Sequence, residues 1–143
     1  MPNNLGATLS KIEKLASNLN EAANEANAIV QRVEESLRRW GVGISCQVPL
    51  NTLCDECGNE FAKEFFCFER IAGKYRLAVG EEACVEMPGS RKVTPWPSVD
   101  RETKLQAFAV LPTLLEEVFK RLAEDTEEAK ATVAKVKTTL TTL

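Results

Sequence analysis

The residues best placed to do chemistry are Cys54-Asp55-Glu56-Cys57-Gly58. Two cysteines separated by two residues and followed by glycine can close a turn whose backbone amides stabilise paired thiolates, which is half of a tetrahedral zinc site. The chain has no histidine, so further protein ligands have to come from Cys46, Cys67 or Cys84, or from a carboxylate. Strand alternation puts Cys46 on an apolar face and Cys67 on the opposite one, with Cys84 in line with Glu82 and Glu86. Cys54, Cys57, Cys67 and Cys84 are therefore the candidate metal ligands, and zinc is the candidate cofactor. Against this stands the spacing, because isolated strand cysteines do not make a second knuckle and also pack as small hydrophobes.

Other chemistry finds less support. A redox pair wants its thiols at a helix N-terminus, whereas Asp55, Glu56, Glu60 and Glu64 surround this one and disfavour a thiolate. Without histidine, acid-base work falls to carboxylates, lysines or Tyr75, and no glycine-rich phosphate loop, nucleophile elbow or metal-binding helix motif occurs. Glu81-Glu82 and Glu116-Glu117 read as solvated pairs. The expectation is a protein without enzymatic activity.

The cysteine turn needs a scaffold, and the chain offers helical ends around an extended middle. Apolar residues recur in steps of three and four from Leu5 through Leu9, Ile12, Leu19, Ala26, Val30, Val33 and Leu37 to Trp40, the stripe of a coiled-coil-like helix. A second run passes through Leu105, Phe108, Leu111, Leu115, Val118, Leu122, Ala129, Val133, Val136 and Leu140. Reversed and laid on the first, it alternates large with small: Leu15 against Ala129, Leu19 against Thr126, Ala23 against Leu122, Ala26 against Phe119. These runs predict two long helices, 5–40 and 100–141, paired antiparallel as one hairpin. Charge is divided on the point, since Glu25 falls near Lys120 and Arg121, but Lys11 and Lys14 fall near Lys130 and Lys135. Exposed pairs are each worth only about 0.2–0.5 kcal/mol, so apolar burial decides.

The middle predicts a β-meander over 42–87. Val42, Ile44, Cys46 and Val48 alternate with smaller or polar residues as a half-buried strand ending at Pro49. After a loop to residue 60, Phe65–Ile71 and Lys74–Val79 flank the turn Ala72-Gly73. That tip sets Arg70 opposite Tyr75, Phe68 opposite Leu77 and Phe66 opposite Val79, which gathers one apolar face and leaves Glu69 opposite Arg76 on the other. A fourth strand is expected over Ala83–Met87, then a loop over 88–98. Gly41 suits the end of the first helix, and Ser98 or Asp100 the start of the second. Pro112 removes the amide that would bond the carbonyl of Phe108, so the second helix is expected to kink or break there.

The whole reads as one α+β domain, 1–143, with two long antiparallel helices flanking a three- or four-stranded antiparallel meander. Composition narrows its partners. The segments 1–40 and 101–143 are each charge-balanced, and the net charge of -3 comes from 41–100. Nucleic-acid binding lacks its basic footprint, and Arg38-Arg39-Trp40 is the last turn of a helix, where cations suit the dipole. No apolar run approaches the roughly 20 residues of a spanning helix, and the first residues carry no leader pattern. Five cysteines without such a leader fit reduced thiols, so the cytoplasm is the expected compartment. The expected function is an interaction or oligomerisation module whose partner is another protein or a second copy, the latter as a homodimer, with no nucleic acid and no membrane. A small zinc module organised by Cys54 and Cys57 is the alternative.

Overall fold

The structure is a computed structural model that describes residues 2–84 and 89–142. Its elements run α1 (Pro2–Arg39), β1 (Cys46–Cys54), β2 (Glu60–Ile71), β3 (Lys74–Ala83), β4 (Arg91–Pro95), a 3-10 turn (Trp96–Ser98), α2 (Arg101–Ala109) and α3 (Leu111–Thr141). The four strands form one antiparallel sheet in chain order, so the chain is mixed α+β. At the β2–β3 tip both Ala72 and Gly73 have positive φ, 49° and 87°, the turn geometry whose twist suits the adjoining strands. The pairing that follows is Arg70 with Tyr75, Glu69 with Arg76, Phe68 with Leu77 and Phe66 with Val79, as the side-chain pattern requires.

The outer strands depart from expectation. β1 does not stop at Pro49 but continues to Cys54, with its register against β2 shifting between Pro49 and Asn51. An edge strand with an irregularity is where a sheet tolerates proline, because the missing donor is not needed there. The segment expected as loop contains β4, whose Lys92 and Val93 pair with Glu81 and Gly80. Ala83 closes β3 instead of opening a fourth strand, and 85–87 lie outside the described residues.

Helix ends follow from local chemistry. Val42 donates to the carbonyl of Leu37 at 2.9 Å and Gly41 to that of Arg38 at 3.0 Å, with Gly41 at φ 70°. This is the paired closure of a helix by a left-handed glycine, and the buried Leu37 and Val42 supply its apolar contact. Asp100 caps α2 by accepting from the Thr103 amide and hydroxyl, both at 2.9 Å, and these bonds hold its carboxyl below the usual range. The helix break falls at Val110, which leaves Pro112 in the first turn of α3, where no intrahelical donor is required.

The core lies on one face of the sheet. Cys46, Val48, Phe66, Phe68, Leu77 and Val79 pack there with Val30 and Leu37 of α1, Ala107 of α2, and Leu111, Leu114 and Val118 of α3. The opposite face has its own small cluster of Phe65, Cys67 and Ala78, with Ile71 and Val93 beside it. No helical residue belongs to that cluster. Arg91 covers it instead, its guanidinium 4.6 Å from the Phe65 ring and donating to Glu69 and Gln47. Beneath, Phe65 lies over Gly80, where an added Cβ would collide with the ring. Gly80→Ala is therefore expected to cost about 1–3 kcal/mol in urea denaturation. Phe65→Leu in the same chain should recover part of that loss, and strictly additive effects would refute the steric account.

The predicted helical hairpin does not form. Leu15 is 67% exposed, Leu19 41% and Phe119 73%, while Ala26, the residue expected against Phe119, is buried at 4%. Ala26 and Val30 are taken up by the domain core, and α1 contacts α2 where Arg101 donates to Asn20 at 2.9 Å. The stripe that was to meet α3 is thus partly used by other elements and partly uncovered.

Candidate functional site

The candidate cysteines are not assembled into one site. Cys54 ends β1 opposite Glu60, and Cys57 lies in the following turn; both are exposed. Cys67 is seven residues further along β2, more than about 20 Å away at strand rise. It is fully buried and donates its Sγ proton to the Ala78 carbonyl at 3.4 Å. Cys84 is half-buried, its amide on the Phe61 carbonyl at 2.8 Å, and stands six residues from Ala78, the cross-strand partner of Cys67. Among the described residues no three cysteine or acidic side chains gather as a metal-holding group. Cys46 lies on the core face, as the alternation implied.

The turn itself also differs from a thiolate cradle. One Asp55 carboxylate oxygen accepts from the amides of both Cys57 and Asn59 at 2.9 Å. Asp55 returns its own amide to the Asn59 carbonyl at 2.8 Å, and Gly58, at φ 82°, donates to the Asp55 carbonyl at 3.0 Å. Amides that could have turned toward sulfur are already engaged by a carboxylate two and four residues away.

Burial grades the five thiols. It pushes the Cys67 thiol up strongly, with Glu69 adding to the effect, and raises Cys46 as well. Native protein treated with a chromogenic disulfide reagent at mildly alkaline pH is expected to release Cys54 and Cys57 first and Cys84 later. Cys46 and Cys67 should react only on unfolding. Rapid native labelling of Cys67 would contradict the buried placement.

The stronger candidate is an apolar surface. Among the described residues, the exposed large apolar side chains other than Phe61 and Trp40 all lie on α1 or α3. On α1 they are Leu5, Leu9, Ile12, Leu15, Leu19 and Ile29; on α3 they are Phe119, Leu122, Val133, Val136 and Leu140. Each helix divides in two. From Ala26 to Leu37, α1 sends its stripe into the core, but residues 4–22 are exposed on every side. α3 buries Leu111, Leu114 and Val118, and from Phe119 onward it too is exposed on every side. The apolar period continues across each boundary, so an uncovered stripe extends a covered one.

The two arms are each about 30–35 Å long at helical rise. Most of a helix's stability in a protein comes from packing an amphipathic face, and neither arm packs one within the chain. The accessible surface makes the same point in area. A compact chain of 15.8 kDa exposes about 7,300 Å², whereas this one exposes 10306 Å². The difference, about 3,000 Å², exceeds the roughly 800 Å² per partner that a standard interface buries. Where α1 and α3 approach, Ile29, Val33, Leu37, Trp40 and Leu115 line an open groove of about 350 Å³. Sequence periodicity set the α1 and α3 stripes against each other within the chain, and the structure leaves much of both uncovered.

No described helix is long and apolar enough to cross a membrane. No family model, curated protein or solved structure matches this chain.

Proposed function

We propose that this chain is a non-enzymatic self-association module in which a second copy covers apolar stripes on the helical arms. The observation that carries this reading is the uncovered period itself. Eleven large apolar side chains are exposed on α1 and α3, in the spacing that makes one helix bury a seam against another. The four-stranded sheet with its helix-packed core is the rigid base from which the arms extend. The interface surplus estimated above is large enough for a stable homodimer.

Sedimentation equilibrium of the full chain, from micromolar to sub-millimolar concentration, tests the reading. The expected result is a mass at least twice 15.8 kDa. A monomer mass throughout that range would overturn it.

A further inference from the structure

α1 carries asparagines at 20, 24 and 27, a spacing that sets all three along one line of the helix. With Arg101, Lys104 and Leu105 of α2 they line a groove of about 390 Å³ between the two helices. Two of the amides are oriented by groups that only donate. Arg101 donates to the Asn20 side-chain oxygen at 2.9 Å, and the Trp96 indole donates to that of Asn27 at 3.0 Å. The oxygen of each is thus committed, and its NH2 group is left with no acceptor among the described residues. Lys104 stands 5.7 Å from the Trp96 ring, and among the described residues no carboxylate pairs with it or with Arg101.

The neighbouring acids do not neutralise the groove. Glu21 and Glu25 stand about a quarter-turn or more round α1 from the middle of the asparagine line, and Glu102 as far round α2 from Arg101. Asp100 is taken up in capping α2. Two cations and three amides with no acid in the lining make a donor-rich recess, the chemistry that holds an oxyanion. We propose that this groove binds a phosphate group, either as the free ion or on a small phosphomonoester. A phosphate carries about −1.5 to −2 charges near neutral pH and three strong acceptor oxygens, so it answers both cations and reaches donors on both helices. A carboxylate would leave one cation unmatched. The groove volume falls within the roughly 300–1,000 Å³ of small-molecule clefts. This site lies beside the apolar stripe and needs no second copy.

Titration of the full chain with inorganic phosphate, at an ionic strength held constant with chloride, tests the site by nuclear magnetic resonance of the side-chain amides. Saturable shifts of the Asn20, Asn24 and Asn27 NH2 signals are expected. Arg101→Gln and Lys104→Gln should each weaken binding about tenfold, with circular dichroism showing that each variant is folded. Ala23→Leu leaves every donor in place and fills the groove beside them, so it should abolish the shifts. Acetate is expected to bind about tenfold more weakly than phosphate. Tighter binding of glycerol phosphate than of inorganic phosphate would identify an ester as the ligand; equal or weaker binding would identify the free ion. Shifts that never saturate, or saturable shifts that survive Arg101→Gln with Lys104→Gln in one chain, would overturn the site. Acetate binding as tightly as phosphate would overturn the assignment of the anion.

Discussion

Trp96→Ala is expected to destabilise the domain by about 3–5 kcal/mol, the cost of deleting a fully buried aromatic side chain. Trp96 is 2% exposed and touches the sheet, α1 and α2. Its ring lies 5.6 Å from Phe66 on the sheet, and its indole N–H donates to the Asn27 side chain of α1 at 3.0 Å. The Lys104 ammonium of α2 stands 5.7 Å from the ring. Removing the indole leaves a cavity where sheet, α1 and α2 meet and strips Asn27 of its partner. Trp96→Phe keeps much of the volume and loses the donor, so it should cost less, about 1–2 kcal/mol. Urea denaturation followed by circular dichroism reads both losses. If the alanine variant stays within about 1 kcal/mol of the parent, the site is not the junction described.

Glu34→Ala is expected to cost about 2–3 kcal/mol for a different reason. β4 pairs with β3 only from Ala78 onward, its last partner there being Pro95. The Leu77 amide next to that limit donates to Glu34 of α1 at 2.8 Å. A carboxylate from a helix thus completes a hydrogen bond that the sheet leaves open. Its other oxygen stands 3.5 Å from Arg38 and 3.9 Å from Arg76. Alanine would leave a buried donor unpaired beneath two cations. Glu34→Gln keeps an acceptor and should cost about half as much. Amide exchange gives the sharper reading, because protection of Leu77 should fall in the alanine variant while that of Phe66 is maintained. Unchanged protection at Leu77 would show that water or another group serves the amide equally well.

The β2–β3 hairpin was legible because every local signal agreed: turn residues, alternation and an oppositely charged cross-strand pair all specified one register. The end of α1 at Gly41 and the start of α2 at Asp100 were equally legible, because both rest on bonds within six residues. β4 was not, since Arg91-Lys92-Val93-Thr94-Pro95 is short and polar and becomes a strand only by pairing with Ala78–Glu82. Pro49 misled for a related reason, because whether proline ends a strand depends on whether the strand is at an edge. The candidate cysteine site was legible as spacing alone; Asp55's capture of two amides depends on a turn conformation that spacing does not specify. The arms show the limit most clearly. Periodicity states that a face is buried against something, but Ala26 and Val30 meeting the core while Leu5 to Leu19 meet nothing is a matter of where the sheet ends.

The meander pairs each strand with its neighbour in sequence, and that order has a consequence during synthesis. Every sheet pair joins residues no more than 22 positions apart, as Cys46 and Phe68 are. α1 is different, since it emerges first and its buried face must wait for residues such as Trp96, 69 positions after Asn27. At about 5–20 residues per second the delay is several seconds. Throughout that interval the core-facing half of α1 is as bare as its arm. A nascent chain therefore presents its full apolar stripe, from Leu5 to Leu37, before it has a domain to cover any of it.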